Sequence, residues 1–225
     1  MPARRLKVMV SSTIYGWEDQ VEQIAGTLDV YGYHVLNSHI GTIAPTAGLS
    51  NFQACLEAVT RCDYFLGIIR GYYGSGRPAR SGLADDEIGI THMEQRRAIQ
   101  LDKPRAFLVE EKVVNARQLL RPLLKLLRKD PFVDRVPQWD LPLAEGERNP
   151  LEHNPVIDDL RILAMYEEAL LSEQSFTARH DHWCQSFHRL PDVLRFLETR
   201  FADRKKLRAE LRAVSATPRT SRSRP

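Results

Sequence analysis

A chain of 225 residues, 43% hydrophobic and 27% charged, has the composition of a globular protein with material for one sizeable core and an appendage, or for two small domains. Its net charge of +3 is set at the end: residues 204–225 hold eight Lys or Arg against Glu210, while the preceding residues carry 24 cations and 28 anions, a net of −4. This argues against a basic fold built around nucleic acid; three widely spaced cysteines without a CxxC argue against a disulfide framework, and no window approaches the ~18 apolar residues of a membrane span.

Leu6 to Val10 is an apolar run ending in Ser11-Ser12-Thr13, and it reads as a buried strand too short for a signal-peptide core. Trp17, Val21, Ile24, Ala25, Leu28 and Tyr31 then recur at helical spacing, and Gly32 marks the stop. Tyr33 to Leu36 predicts a second strand. After a Gly/Thr/Pro-rich loop over 41–48, Ser50 caps a helix whose apolar face is Phe52, Cys55, Leu56 and Val59. Asp63 to Ile69 is the most strand-like run, followed by a long loop from Arg70 to Gly89. Thr91–Leu101 predicts a helix, Arg105–Val109 a fourth strand, and residues 112–129 a helix that Pro122 should kink or restart.

Continuously apolar strands alternating with helices predict an α/β fold, a flavodoxin-like parallel sheet of order 2-1-3-4 over residues 1–130. Residues 131–203 read as linker and helical extension packed on it, with one helix starting at Asn154-Pro155 and another marked by Leu190, Leu194, Leu197 and Phe201. Residues 204–225 read as a basic, largely disordered tail, the one part suited to touching nucleic acid.

In such a sheet the ligand crevice lies beyond the carboxyl ends of strands 1 and 3, where the strand order reverses. Those ends are Ser11, Ser12 and Thr13, and Gly71, Tyr72, Tyr73, Gly74 and Ser75, rich in hydroxyls and free backbone N–H groups. The serines and threonine suit a phosphate at a helix N-terminus, or serve as caps; the tyrosines suit stacking on a base, or packing. Arg70, Arg77 and Arg80 suit phosphates or plain solvent exposure. Glu94 shares a helical stripe with Ile90, Ala98 and Leu101, which turns a carboxylate toward the sheet. It could hold ribose hydroxyls and stabilise an oxocarbenium-like transition state, or close a capping box with Thr91. His180, His182, Cys184 and His188 match no defensible zinc pattern and read as a packing segment with Trp183 and Phe187, so no metal is expected; Cys55 and Cys62 read as core thiols.

Val8 to Thr13, Gly32-Tyr33, Cys62 to Ile69, Gly71 to Ser75, Ile90 to Glu94 and Lys103-Pro104 occur in one order that resembles a TIR-like bacterial family known as domain of unknown function 4062, over roughly residues 6–110. That family is similar to TIR domains and nucleoside deoxyribosyltransferases, which cleave N-glycosidic bonds with a glutamate on the helix after the third strand. The resemblance implies that Glu94 is that glutamate. Where relatives often follow it with an aromatic residue, this chain has Gln95. It further implies a cytoplasmic NAD-cleaving effector of antiphage defence that needs no cofactor beyond NAD as substrate, self-associates and works with a defence-system partner. Two alternatives stay open: a non-catalytic nucleotide-signal-binding or oligomerising module, and a nucleoside or nucleotide N-glycosidase or deoxyribosyltransferase.

Overall fold

The computed structural model describes residues 4–44, 47–74, 88–127, 151–171, 174–175 and 179–216. One five-stranded parallel sheet of order β2-β1-β3-β4-β5 runs through it, formed by β1 (Lys7–Ser12), β2 (His34–Leu36), β3 (Tyr64–Ile69), β4 (Arg105–Glu110) and β5 (His182–Phe187). The central strands β1, β3 and β4 are buried almost throughout because both of their faces are covered, which is why they read as unbroken apolar runs. Helices α2 (Asn51–Arg61), α3 (Ile90–Gln100), α4 (Glu111–Leu127) and α5 (Arg161–Leu170) lie on one face, over a core that includes Val59, Phe65, Phe107 and Ile162. Helices α1 (Glu18–Val30), α6 (Leu190–Phe201) and α7 (Arg204–Ala216) lie on the other, around Ile24, Tyr33, Leu66 and Phe201. No helix among the described residues is long and apolar enough to cross a membrane.

Local signals act where expected. Ser50 closes a capping box with Gln53 at the start of α2. Gly32, at φ +87°, takes the left-handed conformation just after α1 that leads the chain into β2. Three expectations need correction. The expected order 2-1-3-4 holds, and β5 joins it beside β4, so the C-terminal region adds a strand to the sheet and is not only a helical extension. Its sequence, HWCQSF, pairs with Arg105–Glu110 on one side only, so its half-exposed edge position tolerates polar residues that hide the strand. Residues 204 onward are not tail throughout: α7 docks through fully buried Leu207 and partly buried Leu211, and Arg200 pairs with Glu210 at 2.5 Å. The helix expected at Asn154-Pro155 begins at Arg161, because the Asn154 side chain accepts the Val156 N–H at 2.9 Å and holds a turn instead. α4 runs through Pro122 as one helix, without a restart.

In β5, His182 accepts Arg105 Nε–H on Nδ1 at 3.0 Å and donates from Nε2 to the Ala169 carbonyl at 2.7 Å. Both ring positions are occupied within the protein, and burial pushes its pKa down to about 4. Among the described residues, no group of three or more His, Cys, Asp or Glu is placed to hold a metal ion.

Candidate active site

Glu94 is built into the junction of β1, α2 and α3. One turn into α3, its carboxyl points back at the carboxyl end of β1, where the Ser11 hydroxyl donates to Oε2 at 2.5 Å. The Cys55 thiol, from the α2 face, is a second hydrogen-bonding neighbour. The side chain is 3% exposed, and no basic side chain pairs with it among the described residues. Burial therefore dominates and pushes its pKa up to about 7, although the Ser11 and Cys55 hydrogen bonds oppose the rise. The same burial, with the nearby Glu94 charge, pushes the Cys55 thiol up to about 12. The result is a buried carboxyl group whose change of charge is moved up toward neutral pH.

The capping explanation for Glu94 does not hold. Gly89 is the N-cap of α3, no side chain caps that helix, and Thr91 lies inside its first turn. The start of the helix is secured differently: the Gly89 N–H donates to the Tyr73 hydroxyl at 3.2 Å.

The other expected residues divide sharply. Ser12 is buried and donates to the neighbouring Thr13 carbonyl at 3.1 Å, while Thr13 Oγ1 donates to the Tyr73 carbonyl at 3.4 Å and ties the end of β1 to the segment after β3. Gly71 has no room for a side chain: a Cβ there would lie 2.2 Å from the Val156 carbonyl oxygen. Gly74 has φ +86° and faces Thr13, a backbone that favours glycine. Tyr72 is half-buried at the rim, edge-on to Tyr15 at 6.0 Å. Tyr73 offers no face for a base: it is buried, with its hydroxyl 2.9 Å from His92 Nδ1 and Arg161 4.3 Å from its ring centroid. Ser75, Arg77 and Arg80 lie outside the described residues.

Sequence spacing gave no sign of the support behind this site. His92 Nε2 lies 3.2 Å from Glu168, which Arg96 also grips at 2.7 Å. The Tyr73 N–H donates to Asp158 at 2.8 Å, and the Asp158 N–H donates to the Gly71 carbonyl at 3.0 Å. Gln95 donates to the Met165 carbonyl at 2.6 Å, which satisfies a polar side chain at a buried position. These partners lie some 70–85 residues away on and before α5, so only the fold brings them together. Two open cavities lie elsewhere, one of about 760 Å³ beside β5 and α6 and one of about 660 Å³ between α2 and α3, and neither is lined by Glu94 or Ser11.

A parallel α/β sheet with a buried carboxyl group at its topological switch point defines a flavodoxin-like protein with a candidate ligand site at the strand ends. The family model described as Domain of unknown function (DUF4062) matches residues 7–129, from β1 through α4. The chain belongs to that family. No curated protein matches it.

Proposed function

We propose that this chain hydrolyses the N-glycosidic bond between nicotinamide and ribose in NAD. The observation that carries the reading is Glu94, a buried carboxyl at the switch point, held by Ser11 and Cys55 without a cation partner among the described residues. A carboxylate in such a place costs stability, and this cost is offset by function where positive charge develops beside it. In the reaction the C1′–N bond breaks with its electron pair leaving on neutral nicotinamide. Water adds its oxygen to C1′ and releases a proton, giving ADP-ribose. Ionised Glu94 holds the ribose hydroxyls and stabilises the cationic sugar; protonated, it lacks that charge.

The resemblance to TIR-like proteins extends the proposal to a cytoplasmic role in antiphage defence, with activity dependent on self-association and a defence partner. The deep burial of Glu94 favours a second reading, a module that binds a nucleotide signal without cleaving it. The test is nicotinamide release by purified protein across a wide range of protein concentrations. Release that rises more steeply than protein concentration supports an enzyme activated by assembly. Tight nucleotide binding without release at any concentration supports the binding module.

A further inference from the structure

Arg70 follows β3 directly and turns to the side of the sheet opposite Glu94, against the segment that leaves β1. Its Nη1 donates to the Tyr15 carbonyl at 3.1 Å and to the Thr13 carbonyl at 3.5 Å, so it too spans the ends of β1 and β3. The residue is 7% exposed, and its guanidinium lies 4.8 Å from the Trp17 ring centroid and 5.4 Å from that of Tyr72. Among the described residues, no carboxylate forms an ion pair with it. The two carboxylates whose charge reaches it are engaged elsewhere: Glu110 accepts the Gly71 N–H at 3.0 Å and pairs with Lys112 at 3.3 Å, and Glu18 accepts the Gly16 N–H at 3.2 Å.

Lys112 lies 4.8 Å from the Tyr72 ring centroid, so two cations attend one aromatic ring at the rim. Burying a guanidinium beside carbonyl oxygens and π faces gives it partial compensation, and an anion would complete it. We infer that Arg70 and Lys112, with Tyr72 between them, form the subsite for the phosphate groups of a nucleotide that crosses the strand ends toward Glu94. The phosphates would then sit on side-chain cations, while the Ser12 and Thr13 hydroxyls stay committed to the protein. The nucleotide identity rests on the proposed function; the anion subsite does not require cleavage.

Binding of ADP-ribose, inorganic pyrophosphate and adenosine to the full chain, measured by calorimetry, tests this. Wild-type protein should bind ADP-ribose at least tenfold more tightly than adenosine, and pyrophosphate should compete. Arg70→Gln should weaken ADP-ribose at least tenfold and leave adenosine unchanged, and Lys112→Gln should weaken it several-fold. Because Arg70 also ties down the Thr13 and Tyr15 carbonyls, melting temperatures are recorded; if Arg70→Gln is unfolded, Lys112→Gln and Arg70→Lys decide. Arg70→Lys, which keeps the cation, should stay within tenfold of wild type for ADP-ribose, and a Lys112→Gln that binds it like wild type counts against the subsite. The inference is overturned if folded Arg70→Gln binds ADP-ribose like wild type, if adenosine binds as well as ADP-ribose, or if neither anion binds. Anion binding through Arg70 without nicotinamide release removes the hydrolase reading alone; release with an unchanged KM in Arg70→Gln removes the subsite alone.

Discussion

Glu94 concentrates the argument at the scale of single residues. Its folded-state pKa of about 7 lies above that of an unfolded glutamate, so between these values the native state binds the additional proton. The sign follows directly: this group lowers stability as pH rises from the ordinary carboxylate range through about 7, by as much as ~3 kcal/mol in total. Glu94→Gln removes the titration. Its melting temperature should therefore match that of wild type near pH 5 and exceed it at pH 8. A helix cap or a salt-bridged carboxylate predicts the reverse at pH 8. Thr91→Ala should leave stability within about 0.5 kcal/mol at both pH values, because Thr91 caps nothing. A loss of ~1 kcal/mol or more would restore the capping reading.

Among the elements, those with the plainest sequence signals are the ones whose burial is most complete. β1, β3 and β4 announce themselves through continuous apolar runs, and α2 through Ser50 and its stripe. β5 is only partly buried along an outer edge, so His182 and Gln185 mask a strand whose place is set by pairing with β4 and by buried Phe187. The same reasoning applies to α7, whose two leucines, Leu207 and Leu211, are outnumbered by basic residues along its surface. Two apolar residues four apart suffice when they join a core that α1 and α6 already build. Leu207→Ala should cost about 2–4 kcal/mol in urea unfolding, the range for a fully buried leucine. An effect below about 0.5 kcal/mol would show that this helix contributes nothing to the fold.

Across the whole molecule, the family match ends with α4, while the sheet and the support of the candidate site continue beyond it. Asp158 holds the strand-end loop, Glu168 holds His92, and Met165 accepts Gln95, all from outside residues 7–129. The adjacency of β1 and β3 was legible in the sequence because strand order follows from element order and handedness. The pairing of Glu94 with Ser11 was legible only as a shared location, since the residues lie 83 positions apart. The roles of Tyr73, His92 and Glu168 were not legible, because buried polar contacts leave no periodic trace. The central claim is that Glu94 is placed for chemistry, and nicotinamide release from NAD by folded Glu94→Gln measures it most directly. The account predicts a release rate ~100–1,000-fold below wild type in a variant that is at least as stable at pH 8. A folded Glu94→Gln that releases nicotinamide at the wild-type rate would contradict it.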